Sequence, residues 1–247
     1  MTETAPQTLL KIDRLGGQGD GIADTPAGPV FVPLTLPGET VRASVRDGRA
    51  GDVEIVEASP DRIAPVSPHY GDCGGCSLQH WAAAPYLDWK RDQVRLALAR
   101  EGIETEIEPT VAVPAGTRRR LALHARRGPD GRVILGFKAR KSWRLVEVTA
   151  CPVADPRLVA AFPALTRVAE AFLEHPKSAP TLHVTLTLTG LDVDVTGVER
   201  KSGGLSRDRQ MQAIRAANVA DLARLSLAGE TLAMMRQPTG MFGPATV

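Results

Sequence analysis

Short apolar runs separated by glycine- and proline-rich turns fill the first 60 residues. The apolar runs fall at 8–12, 30–33, 41–45 and 53–56, and the turn at 16–21 holds four glycines. Regularly spaced short strands with such turns are typical of small barrels. The glycines do not follow the spacing of a nucleotide-binding loop and no helix pattern comes after them, so they indicate a tight turn. The pattern predicts a five-stranded OB-like β-barrel over the first 60 residues.

The remaining chain alternates between helical and strand periods. Apolar side chains recur on one side of the segment 86–101, which Gly102 ends, and this predicts a helix. Further helices are predicted at 155–174 and 211–224, and strands at 121–125, 133–137, 144–148, 183–189, 191–198 and 230–236. Pro163 is expected to kink or split its helix. The expected fold class is α+β, with residues 61–235 forming a mixed α/β central domain on an antiparallel sheet.

The positive charge is concentrated in one segment. The 247-residue chain has a net charge of only +2, yet 117–144 holds ten basic residues and a single acid, Asp130. Positive charges at this density repel one another unless a polyanion binds to them, which favours a nucleic-acid partner. The alternative is that the charges belong to a strand face that is simply exposed to water. Side-chain alternation is expected to put Arg118 and Arg120 on one face and Arg119 on the other. The candidate RNA contacts, with one aromatic ring to stack a base, are Arg118, Arg120, Lys138, Arg140, Lys141, Trp143 and Arg144.

No part of the sequence resembles a membrane anchor or an export leader. The apolar runs stay well short of the roughly 20 residues needed to span a bilayer, and residues 1–8 lack the charged and apolar parts of a signal peptide. Three cysteines, an odd number, argue against a disulfide framework. We therefore expect a cytoplasmic protein with no membrane partner, and the sequence indicates no obligate protein partner.

All three cysteines fall into one pattern. Cys73 and Cys76 flank a Gly-Gly turn, and Cys151 lies 75 positions further on, at the end of a predicted strand. Thiols spaced in this way can reach one centre, and zinc and iron–sulfur centres both prefer four protein ligands. A zinc site would take its fourth ligand from His69 or His80. The alternative is that the cysteines are buried thiols of the core.

The segment from Cys73 to His80, Cys-Gly-Gly-Cys-Ser-Leu-Gln-His, resembles a motif of the bacterial RNA uracil-C5 methyltransferases. Members begin with a TRAM domain, an RNA-binding OB barrel, and hold a [4Fe-4S] cluster on three cysteines around this motif and a distant fourth. The resemblance implies Cys73, Cys76 and Cys151 as metal ligands, with Ser67 at the position of the first cysteine. Serine is a poor iron ligand because its alkoxide is hard to form. A cluster with one non-cysteine corner and the loss of the cluster therefore both stay open.

The resemblance also implies motifs that this sequence lacks. Family members continue with an S-adenosylmethionine-binding Rossmann-like domain, which carries a cysteine nucleophile and a general base, and residues 236–247 resemble only its start. The chain is thus expected to be the RNA-recognition portion of an enzyme acting on rRNA or tRNA, inactive alone, with no catalytic or cofactor-binding residue. In the intact enzyme a uridine would be flipped out, attacked at C6 by cysteine and methylated at C5. The alternative is a non-enzymatic RNA-binding protein or adaptor.

Overall fold

The computed structural model describes residues 6–199, 205–242 and 245–246. The chain divides into two compact units that interleave along the sequence. The first unit comprises Met1–Gly71 and Cys76–Ala112, and the second comprises Asp72–Gly75 and Val113–Val247. The predicted barrel therefore belongs to the first unit and the basic segment to the second, while the predicted domain bounds and names stay predictions.

A six-stranded sheet forms the first unit and curls into a half-barrel. Its strands are β1 (Gln7–Lys11), β2 (Arg14–Leu15), β3 (Gly21–Thr25), β4 (Gly28–Val32), β5 (Thr40–Arg46) and β6 (Arg49–Glu57). They lie in the order β1-β5-β6-β4-β3-β2, antiparallel except where β4 meets β6. The predicted count of five strands was wrong, because β2 has only two residues, paired with β3 across the glycine turn. A strand of two residues is too short to show an alternation of apolar and polar residues in the sequence.

A buried ion pair stabilises the first unit beside its apolar core. The Glu39 carboxylate is fully buried and bonds to Arg62, with Nε–Oε1 at 2.5 Å and Nη2–Oε2 at 2.8 Å. The backbone N–H groups of Leu36 and Ser59 donate to the same carboxylate. Burial raises the pKa of Glu39, but these hydrogen bonds outweigh burial and hold that pKa below its usual value. Removing one partner of such a pair costs about 3–5 kcal/mol of folding free energy.

Helix α1 (Ala83–Arg100) confirms the first predicted helix. None of its side chains is fully buried, and Tyr86 and Trp89 pack around Trp81 in a small apolar cluster of the first unit. Gly102, with φ +71°, adopts the left-handed conformation that commonly ends helices.

A seven-stranded sheet forms the second unit. Its strands are β7 (Arg120–Arg127), β8 (Val133–Lys138), β9 (Leu145–Glu147), β10 (Thr181–Thr187), β11 (Gly190–Thr196), β12 (Leu222–Leu227) and β13 (Glu230–Met234). They lie in the order β13-β12-β11-β10-β7-β8-β9. The predicted meander and hairpin are confirmed, but the sheet is mixed rather than antiparallel. Strands β11 and β12 run parallel because helix α4 (Arg207–Val219) connects them.

Helices α2 to α4 supply apolar side chains to the core on one face of this sheet. Helix α2 (Pro156–Ala160) is separated from α3 (Phe162–Glu170) at Ala161, so the predicted split of this segment is confirmed. The helix predicted to reach residue 224 ends at Val219, and Leu222 begins β12. Asp221, with φ +53°, turns the chain between them. The predicted helix therefore extended five residues too far and included the first residues of β12.

Past β13 the chain forms a short hairpin of β14 (Met241–Phe242) and β15 (Ala245–Thr246). The predicted likeness of this end to the start of a catalytic domain falls partly on residues 243, 244 and 247, which lie outside the described residues. The predicted lack of a leader falls largely on residues 1–5, which lie outside them as well. Among the residues with described positions, no helix is both long and apolar enough to cross a membrane.

Candidate nucleic-acid interface

The second sheet has one polar face, opposite its helix-covered core. Strand alternation turns Leu121, Leu123 and Ala125 of β7 into the core, and turns Arg120, His124 and Arg126 the other way. We call this second surface the open face, because no helix of the second unit covers it in the described part of the chain. The same alternation adds Lys138 from β8 and four residues of β10, namely Thr181, His183, Thr185 and Thr187.

Three of the ten bases in the predicted segment are neutralised by acids that the fold brings to them. Arg132 bonds to Glu147 through two contacts of 2.8 and 2.9 Å. Arg127 pairs with Glu170 at 3.4 Å. Arg144, a predicted RNA contact, forms an ion pair with Asp72, which lies 72 positions earlier in the sequence. Counting only the acid within the segment, Asp130, therefore overstates the positive charge of this surface.

Four other arginines remain available to an anion. Among the described residues, Arg118, Arg119, Arg120 and Arg126 are exposed and make no ion pair with a carboxylate. The predicted contact Arg118 lies beside the loop before α2, where its N–H donates to the Val153 carbonyl oxygen at 3.1 Å. The predicted contacts Arg140 and Lys141 lie in the turn after β8, and the backbone N–H of Arg140 donates to the Asp72 carbonyl oxygen at 3.1 Å.

Trp143 is the most exposed large apolar side chain of this region, with 86% of its surface accessible. The Lys138 ammonium lies 3.8 Å from the centroid of its ring, which is the geometry of a cation–π contact. The lysine leaves the opposite ring face open to solvent. A nucleobase stacked there would complete a sandwich, and this arrangement fits the predicted role of both residues.

His124 is the titratable group at the centre of the open face. Its Nδ1 lies 2.9 Å from the Thr181 hydroxyl, and His183 makes a similar contact of 3.0 Å with Thr196 on the next strand. Burial, followed by the charges of Lys138 and His183, lowers the pKa of His124 below its ordinary value of 6.5. A phosphate near this face would oppose that shift, because it favours the protonated imidazole.

The Cys-Gly-Gly-Cys turn is pinned to the second sheet at its first half. Cys73 forms a β-bridge with Ala139, and Gly74 lies directly against the backbone at the end of β8. Cys73 and Cys151 are both half-buried and pack against the same apolar core. The fold thus brings two of the three predicted ligands to one core, and no disulfide joins the three cysteines.

The other predicted ligands belong to the first unit. Ser67 accepts a hydrogen bond from the His69 N–H on its Oγ at 3.3 Å, and its own N–H donates to Gln79. His80, the alternative zinc ligand, is buried and contacts the Tyr70 hydroxyl through Nδ1. Leu78, Gln79 and His80 of the motif therefore act as packing and hydrogen-bonding residues around the loop.

A resident metal centre is not assembled among the described residues. No group of three or more His, Cys, Asp or Glu side chains is placed to hold a metal ion in the described ranges. With three thiols and a serine already engaged in a turn, the donor set does not fit a complete four-thiolate cluster.

Sequence reasoning missed part of the open face. The polar residues of β10 were missed as candidates, and Arg119, predicted to point away from Arg120, precedes the first residue of β7 and accepts a hydrogen bond on its carbonyl oxygen from the N–H of the core residue Leu186. The β10 residues could have been found from the sequence. Their signal was present, because Thr181, His183, Thr185 and Thr187 occupy every second position of an otherwise apolar strand.

Comparison with known proteins places the chain among RNA methyltransferases, although no protein-family model matches it. An uncharacterized RNA methyltransferase of Caulobacter vibrioides is 62% identical over 240 residues, which are 96% of this chain and 58% of the relative. One of Brucella suis is 40% identical over 240 residues, covering 96% of this chain and 56% of the relative. The 23S rRNA (uracil(1939)-C(5))-methyltransferase RlmD of Halomonas elongata is 42% identical over 176 residues, 68% of this chain and 36% of the relative.

These relatives confirm the predicted resemblance. The chain belongs to the RNA uracil-C5 methyltransferase family, to which it corresponds as an N-terminal portion. It spans a little over half the length of the first relatives. The predicted cytoplasmic location, TRAM identity and cofactors stay predictions.

Proposed function

We propose that this chain is the RNA-recognition portion of an S-adenosylmethionine-dependent RNA uracil-C5 methyltransferase that acts on rRNA or tRNA. The observation that carries the proposal is the open face, where exposed arginines without acid partners lie beside the Lys138–Trp143 stack. Arg120 and Arg126 are six residues apart on one strand, so they span about 20 Å. That length suits a polyanionic strand rather than a single small anion.

The division of labour follows from the chemistry of base methylation. An enzyme that modifies a base must hold the surrounding RNA while the target nucleotide leaves its stack. Phosphate contacts fix position, and stacking contacts hold single-stranded bases. In our proposal this chain supplies those contacts, while methyl transfer belongs to residues that this sequence does not contain. The adaptor alternative has no support among the relatives compared, which carry the names of RNA methyltransferases.

We also propose that the cysteine motif marks the family's cluster position in an incomplete form. The support is the motif itself and the packing of Cys73 and Cys151 against one core. Serine at position 67 leaves three thiolates for a centre that ordinarily takes four. Any cluster bound here would have a structural role, since methyl addition needs no electron transfer.

The test combines RNA binding with methyl transfer on the purified 247-residue chain. We expect a structured uridine-containing RNA to bind with an affinity that falls steeply as salt rises, because phosphate contacts release counterions. The double variant R120Q/R126Q should bind more weakly and with a shallower salt slope. The variant R127Q/R132Q removes the same charge from arginines that already have acid partners, so it should bind almost as the wild type does.

We expect no transfer of a labelled methyl group to RNA by this chain alone. Methylation by the purified chain would contradict the proposed division of labour. Equal weakening by both double variants would show that general charge, rather than the open face, holds the RNA.

A further inference from the structure

A pocket of about 370 Å³ opens on the second unit where β7, β10, β11 and β12 meet the segment after β13. Its lining includes Arg120, Thr185, Asp192 and Arg224, which lie side by side across the four strands, together with Thr187 and residues 237–240. The volume falls within the range of pockets that hold small organic ligands. No residue of the cysteine motif lines this pocket, and of the predicted RNA contacts only Arg120 does.

The far wall of the pocket is firmly attached to the hairpin of β10 and β11. Arg236 donates to the carbonyl oxygens of Thr189 and Asp221, both at 2.7 Å. The Thr189 hydroxyl donates to the Gln237 carbonyl oxygen at 2.7 Å, and the Leu188 N–H donates to that of Thr239 at 2.8 Å. The pocket is therefore shaped by hydrogen bonds of the fold before any ligand arrives.

The charges in the pocket favour an anion at one end. Asp192 is held by Arg224 through two hydrogen bonds of 2.8 and 2.7 Å, so this pair is nearly neutral. Arg120, which is paired with Thr185 across β7 and β10, has no acid partner among the described residues and supplies the excess positive charge. Guanidinium groups bind phosphate through paired N–H donors.

The opposite end of the pocket offers groups suited to a base. The Asp192–Arg224 pair presents donor and acceptor atoms together, and the Thr185 and Thr187 side chains lie on the strand beside it. Hydrogen bonds to base edges are the means by which proteins read unstacked nucleotides. Because Arg120, which lines the pocket, lies on the same face of β7 as Arg126, an RNA strand that crosses the open face can place one nucleotide in the pocket.

We infer that this pocket holds one single-stranded nucleotide of the bound RNA, with its phosphate on Arg120 and its base toward the Asp192–Arg224 pair. The inference rests on the proposed function for the identity of the polymer. It adds a defined subsite to an open face that would otherwise bind RNA only through general charge.

The test uses uridine 5′-monophosphate, uridine and inorganic phosphate as probes of the full 247-residue chain, followed by NMR of backbone amides. We expect the monophosphate to shift the amides of residues 185–187, 237, 239 and 240, and to bind more tightly than uridine or phosphate alone. R120Q should weaken monophosphate binding about tenfold, because it removes a charge-assisted contact. T185F should block the pocket without changing charge, and its thermal melting checks that the chain still folds.

R126Q is the matched control, since it removes an arginine of the open face outside the pocket. It should leave monophosphate binding unchanged and weaken binding of a long RNA. Equal weakening of monophosphate binding by R120Q and R126Q, or binding of inorganic phosphate as tight as that of the monophosphate, would overturn the inference. If long RNA binds while the monophosphate does not, the pocket assignment fails and the proposed function stands. If the monophosphate binds and long RNA does not, the proposed function fails instead.

Discussion

The backbone N–H of Gly74 donates to the carbonyl oxygen of Lys138 at 2.9 Å. This hydrogen bond attaches the Cys-Gly-Gly-Cys turn to the end of β8, where the same lysine contacts Trp143. The cysteine motif and the candidate stacking platform therefore share one backbone junction in the second unit. A disturbance of the turn is expected to reach the RNA contacts without any direct contact between cysteine and RNA.

The two glycines of the motif are expected to differ in their tolerance of alanine. A Cβ at Gly74 would lie 2.8 Å from the Lys138 carbonyl oxygen, whereas a Cβ at Gly75 would meet only the Cys73 sulfur at 3.5 Å. Gly74→Ala should lower the free energy of unfolding by about 1–3 kcal/mol, the usual cost of overpacking. Gly75→Ala, the control, should change it by less than about 0.5 kcal/mol. Urea denaturation measures both, and equal stability of the two variants would argue against the junction.

Trp143 is expected to contribute to RNA affinity and not to folding. Base–aromatic stacking contributes about 1–3 kcal/mol per base, so Trp143→Ala should weaken RNA binding by roughly fivefold or more. Trp143→Phe keeps a ring for stacking and should recover most of the affinity. Both variants should have the melting temperature of the wild type, because the Trp143 side chain is largely exposed. Fluorescence anisotropy with a uridine-rich oligonucleotide measures the affinity. Binding of the alanine variant as tight as that of the wild type would contradict the stacking role.

His124 is expected to make folding stability depend on pH. Its pKa in the folded protein lies below the ordinary value of 6.5, so between these two values the unfolded chain binds more protons. The stability that neutral His124 provides is therefore complete above about pH 6.5 and is lost as the pH falls through the folded-state pKa. Between about pH 7 and about pH 5 the free energy of unfolding should fall less in His124→Gln than in the wild type, as measured by denaturation at each pH. Parallel pH dependences in the two proteins would exclude His124 as a contributor.

Ser67→Cys is expected to improve retention of an iron–sulfur cluster. A fourth thiolate replaces a hydroxyl that is hard to deprotonate, so the variant should keep more iron and sulfide in air than the wild type. Anaerobic purification followed by metal and sulfide analysis should give about four of each per chain in the variant. About one zinc per chain would favour a zinc site, and the absence of iron from both proteins would show that the cluster has been lost.

Local patterns in the sequence predicted most of the elements of the second unit. The alternation in the hairpin of β10 and β11 reports burial on one face, and Pro163 marks the division between α2 and α3 because proline suits the first turn of a helix. Strand β3, the two-residue strand β2 and the parallel strand β12 were not among the predicted strands. Their pairing depends on partners that local periodicity does not specify.

The candidate site was predicted less completely, because electrostatics depend on the folded arrangement. Arg144 looked like a free base in the sequence, and the fold gives it Asp72 as a partner. The pocket lined by Arg120 could not be foreseen, because it also needs β10, β12 and the segment after β13. Lys138 and Trp143 were each predicted as RNA contacts, but the contact between the lysine and the ring was not foreseen, because it depends on the turn that follows β8.

The most direct measurement of the central claim is photo-crosslinking of a 4-thiouridine-containing RNA to the 247-residue chain, with peptides identified by mass spectrometry. The open face predicts crosslinks within β7, β10 and the turn that carries Trp143. Helices α3 and α4, on the core side of the same sheet, serve as the internal control and should be free of crosslinks. Crosslinks confined to those helices, or to the six-stranded sheet of the first unit, would contradict RNA recognition by the open face.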